Sequence, residues 1–233
     1  MIYYWCRKLH NWLGLLLVIQ ILLWFVSGLV MAIMPIDEVR GEHLVATPAA
    51  QWQQAQVSPA IILQHHSEGA EIALSQSFVG DQWVPVYTVH DDHRVAGYHA
   101  VSGELLPQLT AAEASLAAQS QYLGAGDMLD VSLLQQAPTE ARHLPVPLWQ
   151  ARFADANNTV FYLARDTGAV LRVRTDEWRL FDFLWMLHIM DYEERSNFNN
   201  PLLIITSVLA TLFTLTGLIL LWRRYRPRSA LLK

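Results

Sequence analysis

Apolar residues gather towards the two ends of the chain. Within residues 9–34 the only ionisable side chain is His10, and within residues 201–222 there is none. At ~1.5 Å of rise per helical residue, each run can cross a hydrocarbon core of roughly 30 Å. The first run is much longer than the roughly 7–15 residues of a signal-peptide core, and no small-residue cleavage site follows it. It is therefore expected to remain as an anchor. Between the runs the pattern changes. Residues 86–106 and 148–173 alternate apolar and polar positions with the period of half-buried antiparallel strands. The two stretches echo each other: YHAVSG at 98–103 aligns with YLARDTG at 162–168, with one residue inserted. Gly103 and Gly168 would form the turns. A helix is expected before each stretch. The first covers residues 58–65, with Ser58 as cap and Pro59 at the first helical position. The second covers residues 110–122, where Thr110 and Glu113 have the spacing of a capping box.

These elements predict a membrane α-helical protein with two transmembrane helices per chain. Between them lies an α+β domain of two helix-plus-antiparallel-sheet units. A further segment, WRLFDFLWMLHIMDY at 178–192, reads as an amphipathic helix at the membrane surface. On its apolar side His188 would share a face with Phe181, Leu184, Trp185 and Tyr192.

Charge orients the chain. Arg7 and Lys8 precede the first span, and Arg223, Arg224, Arg226, Arg228 and Lys233 follow the second, with no acidic residue on either side. Basic ends stay in the cytoplasm. The expected layout is a cytoplasmic N-terminus (1–8), a first span (9–34), a periplasmic domain (35–177), the juxtamembrane helix (178–192), a second span (201–222) and a basic cytoplasmic tail (223–233). Residues 35–200 hold all 21 acidic residues and only 9 of the 16 basic ones, which leaves −12. This surface either serves solubility or attracts cations such as iron. Nucleic acid is not an expected partner. Cys6 is the single cysteine, so the outer domain has neither disulfides nor thiolate metal sites. No phosphate-binding or dinucleotide-binding glycine motif is present.

The histidines carry the candidate chemistry. At 100° per residue, Gly14, Ile21, Trp24 and Gly28 fall within about 40° of His10, with Gln20 and Ser27 to one side. In the second span Thr206, Ala210, Thr214 and Gly217 form a comparable stripe. Small and hydroxyl residues mark helix–helix contacts in lipid, so His10 faces protein. It is either an interfacial anchor or a functional group. His188 is either a buried structural histidine or a ligand. His43, in VRGEHL just past the first span, is a ligand, a substrate-site residue or an ordinary loop histidine. His65, His66, His90, His93, His99 and His143 belong to the outer domain, and HDDH at 90–93 reads either as a hairpin tip or as a metal site. His10 and the outer end of the first span are roughly 36 Å apart, so His10 and His188 are expected near opposite membrane faces, too far apart to share one iron.

Several stretches resemble a known family. RKLHNWLGLLL opens the first span, SGL lies near its far end and PIDEVRGEHL follows it. WMLHIMDY precedes the second span and LTGLILLW ends it. With the strand signature at Tyr98 and Tyr162, these are similar to the PepSY-associated transmembrane family and its PepSY domain. The resemblance implies a relation to inner-membrane ferric-siderophore reductases that carry haem b on histidines. It implies His10, His188 and His43 as haem-iron ligands, ferric iron or a ferric siderophore as acceptor, and a quinol or a cytoplasmic reductase as electron donor. Larger members have about four spans and this chain has two, with no flavin or nicotinamide domain. A homodimer would restore a four-helix membrane core. The alternative is a membrane-tethered PepSY module that binds or inhibits a periplasmic hydrolase without a cofactor.

Overall fold

The computed structural model describes residues 1–49, 52–91 and 94–226. In chain order the elements are α1 (Ile2–Ile33), α2 (Ile36–Arg40), α3 (Pro59–Leu63), β1 (Glu71–Val79), β2 (Gln82–Asp91), β3 (Arg94–His99), α4 (Ala111–Gln121), β4 (Asp127–Leu134), β5 (Leu148–Ala154), β6 (Val160–Ala164), β7 (Val170–Arg174), α5 (Asp176–Ile189) and α6 (Pro201–Tyr225). They form two compact units, Met1–Pro35 with Leu180–Lys233, and Ile36–Arg179.

In the helical unit α1 and α6 are both long and apolar enough to span a membrane. They pack antiparallel. Arg223 stacks over Tyr3 at 3.8 Å and His10 lies flat on Phe213 at 4.3 Å. Leu13, Leu17 and Ser27 are buried on α1, and Thr206 and Thr216 on α6. Outward residues such as Leu15, Ile19 and Phe25 are about 70% exposed, as lipid-facing side chains must be. The α6 stripe therefore departs from the sequence expectation. Phe213 and Gly217 meet α1, while Ala210 and Thr214 line a shallow groove with Trp24 on the flank. Gly14 serves the packing of these two helices, because the Phe213 ring lies 3.1 Å from where its Cβ would be.

α5 stops at Ile189 because Met190 takes a left-handed backbone, φ 55°. Tyr192 therefore lies beyond the helix and not on the His188 face. The last carbonyls of a helix lack intrahelical partners. Here Gln20 Nε2 donates to Leu187 O, Trp24 Nε1 to His188 O at 2.8 Å, and Asn200 Nδ2 to Ile189 O. Asp191 organises the following loop: its carboxylate accepts the backbone N–H groups of Glu193, Glu194, Ser196 and Asn197. These bonds, with Asn197 the strongest, hold its pKa below the ordinary range.

The second unit holds two antiparallel meanders, β1-β2-β3 and β4-β5-β6-β7. α3 places Ile62 against Tyr87, Val89 and Ala100 of the first meander. α4 lays Ala114 and Ala118 on Trp149, Ala151, Phe153, Phe161 and Leu163 of the second. The Thr110–Glu113 capping box is formed in both directions. The repeated turns match: Gly103 and Gly168 have φ 76° and 71°, and each donates its N–H to the residue four back, His99 O or Ala164 O. The Gly168 turn docks on β1 of the other half, where Phe78 N donates to Thr167 O. The buried Gln121 joins α4 to this turn, donating to Gly168 O and accepting from Val170 N. β1 and β4 are additional to the strands expected from the sequence. After Gly103 there is no third strand in the first unit, only a bridge between Tyr98 and Leu105.

Candidate functional site

His10 is fixed by α6. Its Nδ1 lies 3.1 Å from Phe213 O and 3.1 Å from Thr216 Oγ1. Thr216 gives its own hydroxyl proton to Phe213 O at 2.8 Å. Both oxygens near Nδ1 are therefore acceptors, and Nδ1 carries the ring proton. Nε2 is left with its lone pair. The ring also lies against Gly217, where a Cβ would stand 3.0 Å from Cε1.

His188 is fixed by α1 in the same manner. Its Nδ1 is 2.9 Å from Ser27 Oγ, and Ser27 donates to Trp24 O, three residues back. With the hydroxyl proton directed at Trp24 O, Nδ1 is the donor and Nε2 is free. Gly28 flanks the ring, with its Cβ position 3.4 Å from Cε1. The two cradles thus share one plan: a hydroxyl followed by glycine, Ser27-Gly28 on α1 and Thr216-Gly217 on α6, each receiving a histidine from another helix. Ser27 lies 17 positions after His10, so the cradles are separated by ~25 Å along α1.

This repeated plan spans both apolar helices. The profile of the PepSY-associated TM region family matches residues 7–233. The chain belongs to the PepSY-associated TM region family. No curated protein and no solved structure matches it. This PepSY-associated chain is a membrane protein whose two apolar helices contact the bilayer.

These two imidazoles are the side chains that would hold a haem iron, each through Nε2. Metal-bound histidine commonly donates its other ring N–H to an oxygen, which fixes tautomer and orientation. That describes both cradles. Each level supplies one imidazole, and no group of three or more metal-binding side chains occurs among the described residues. His43 lies exposed in a short 3-10 turn, Glu42–Leu44, and belongs to the second unit.

The remaining outer histidines do not gather around a common centre among the described residues. His66 is held between Asp91 Oδ2 at 3.0 Å and Tyr98 Oη at 2.9 Å, which ties the end of α3 to β2 and β3. His65 bonds Ile61 O, His99 takes the N–H of Val101, and His90 and His143 are exposed. Asp92 and His93 of the HDDH stretch lie outside the described residues. Sequence reasoning missed Thr216 and Ser27 as the groups that orient the histidines. Their signal was present as the matching S-G-L and T-G-L at 27–29 and 216–218.

Proposed function

We propose that this PepSY-associated protein is a haem b-binding electron-transfer protein of the bacterial inner membrane. It reduces ferric iron, free or held by a siderophore, at the periplasmic face in support of iron uptake. The observation that carries this reading is the pair of cradles, each presenting an unprotonated Nε2, at two depths along one transmembrane helix. Haem b supplies reversible one-electron chemistry when bound. The chain's own residues hold the imidazoles, select the tautomer and exclude water with flanking apolar side chains.

Each level lacks a second imidazole, so two copies of the chain complete it. The groove formed by Trp24, Ala210, Thr214 and their neighbours offers small side chains to a second helix pair. In this reading the basic ends, where Tyr3 meets Arg223, lie in the cytoplasm, and the acidic second unit is periplasmic. Quinol or a cytoplasmic reductase is the donor.

Proteoliposomes test the reading. The purified chain is reconstituted with a membrane quinol inside the bilayer, and ferric chelate with a ferrous-iron indicator is added outside. Ferrous iron should form with the wild type and fall to the protein-free rate with His10→Ala or His188→Ala. Equal rates for wild type and both variants contradict the proposal.

A further inference from the structure

The second unit carries a feature unlike the rest of its acidic surface. A groove of about 700 Å³ runs along β7, and Arg40, Arg172 and Arg174 line it with Glu42 as the single carboxylate. That volume is in the range of small-molecule sites. Two arginines elsewhere in this unit are matched by acids, Arg152 by Asp130 at 2.7 Å and Arg179 by Glu140 at 2.9 Å. Arg172 has no acidic partner among the described residues. Its Nη1 donates to Leu171 O, the carbonyl of the preceding residue. Arg174 makes the corresponding bond to Val173 O, donates Nε to Glu140 O and stacks on Trp178 at 3.8 Å. Arg40 is brought across from β7 by Gly41, whose backbone has φ 70° and leaves only 2.5 Å between a hypothetical Cβ and Val173 Cγ1. Its link to Glu42 is long, 3.7 Å, and both side chains are largely exposed.

These contacts decide what kind of ligand fits. β7 is an edge strand, and the arginines occupy the outward carbonyls of Leu171 and Val173, which blocks addition of another strand. Arg172 and Arg174 are two residues apart on one strand face, so their Cα atoms are ~6.6 Å apart. Guanidinium groups match planar carboxylates with two parallel bonds. Val45, Val173 and Trp178 add apolar surface for a carbon skeleton.

We propose that this groove binds a small polycarboxylate anion of the iron-chelating class, with Arg172 and Arg40 as its principal charged contacts. The link to iron rests on the ferric-reduction reading; the anion site does not. Calorimetric titration of the detergent-solubilised full chain tests it, with citrate, ferric citrate, inorganic phosphate and a neutral ferric trihydroxamate as probes. Citrate and ferric citrate should bind, and phosphate and the neutral chelate should bind at least tenfold more weakly. Arg172→Gln or Arg40→Gln should weaken citrate by about tenfold or more, the scale of a lost charged hydrogen bond, while Arg152→Gln leaves it unchanged. No binding to the wild type, phosphate binding equal to citrate, or indifference to both groove substitutions overturns the site. A chain that binds citrate but carries no haem keeps the groove and removes the reduction reading. A haem-bearing chain that ignores citrate does the reverse.

Discussion

At the scale of residues, an imidazole holds iron through the nitrogen that no other group has claimed. In both cradles a hydroxyl claims Nδ1, and the hydroxyl is itself locked to the carbonyl three residues back. Removing it leaves the ring less firmly held, although His10 keeps the Phe213 carbonyl as a second acceptor. Ser27→Ala and Thr216→Val should each lower haem affinity by roughly 10–100-fold, the usual effect of losing a supporting hydrogen bond. Haem transfer to a soluble acceptor measures this, and an unchanged transfer rate would count against the role of the hydroxyls. A second prediction concerns Asp191, which is 8% exposed. Its pKa is depressed by backbone N–H groups from its ordinary 3.8, so its stabilising contribution is complete at neutral pH and is lost as pH falls through the depressed value. Melting temperature should be insensitive to this group between pH 7 and 5 and should drop below about pH 4. Asp191→Asn should melt lower at neutral pH and lose that acid-dependent step. The positions of His10 and His188 were legible from the sequence because each lies on an apolar helical face. Their partners were harder to read, since Phe213 and Thr216 are about 200 positions from His10 and only the packed helices bring them together.

At the scale of elements, the packing of α2 against β7 within the second unit depends on a close approach at Gly41. Gly41 adopts φ 70° against Val173, so Gly41→Ala introduces both left-handed strain and overlap. A loss of about 2–4 kcal/mol is expected from those two costs together. Denaturation of the purified protein, followed by the fluorescence of its tryptophans, checks it. Thr110→Ala should cost about 1 kcal/mol, the usual worth of an N-cap, because the capping box at α4 is complete. The Thr110–Glu113 cap and the glycine turns were visible in the sequence because they are local signals, whereas Ser58 sits at the start of α3 without a side-chain capping bond and that helix ends at Leu63. β1 and β4 were not. β1 buries Ser77 beside Phe78, and β4 is interrupted by a register shift between Met128 and Asp130. Neither offers clean alternation, and each is defined by its neighbouring strand. The short reach of α5 has a similar origin: the run to Tyr192 looks helical, but Met190 turns the chain and the Asp191 loop holds it there.

At the scale of the whole molecule, two antiparallel spans place both chain ends on one side of a membrane. The basic residues at both ends are the ground for proposing that this side is the cytoplasm. Reporter fusions after Tyr225 and at Gly126 should therefore report opposite compartments, and a cytoplasmic Gly126 would overturn the periplasmic assignment. The family profile covers residues 7–233, which include both apolar helices and the second unit. The central claim is that the two cradles hold haem. The most direct measurement is the reduced-minus-oxidised absorbance spectrum of the full chain purified from cells supplied with haem. The account predicts a haem b spectrum whose amplitude per chain drops by about half in His10→Ala and again in His188→Ala, as expected for two separate iron levels. A colourless wild-type protein, or full amplitude in both variants, would contradict it and leave the chain as a tethered binding module.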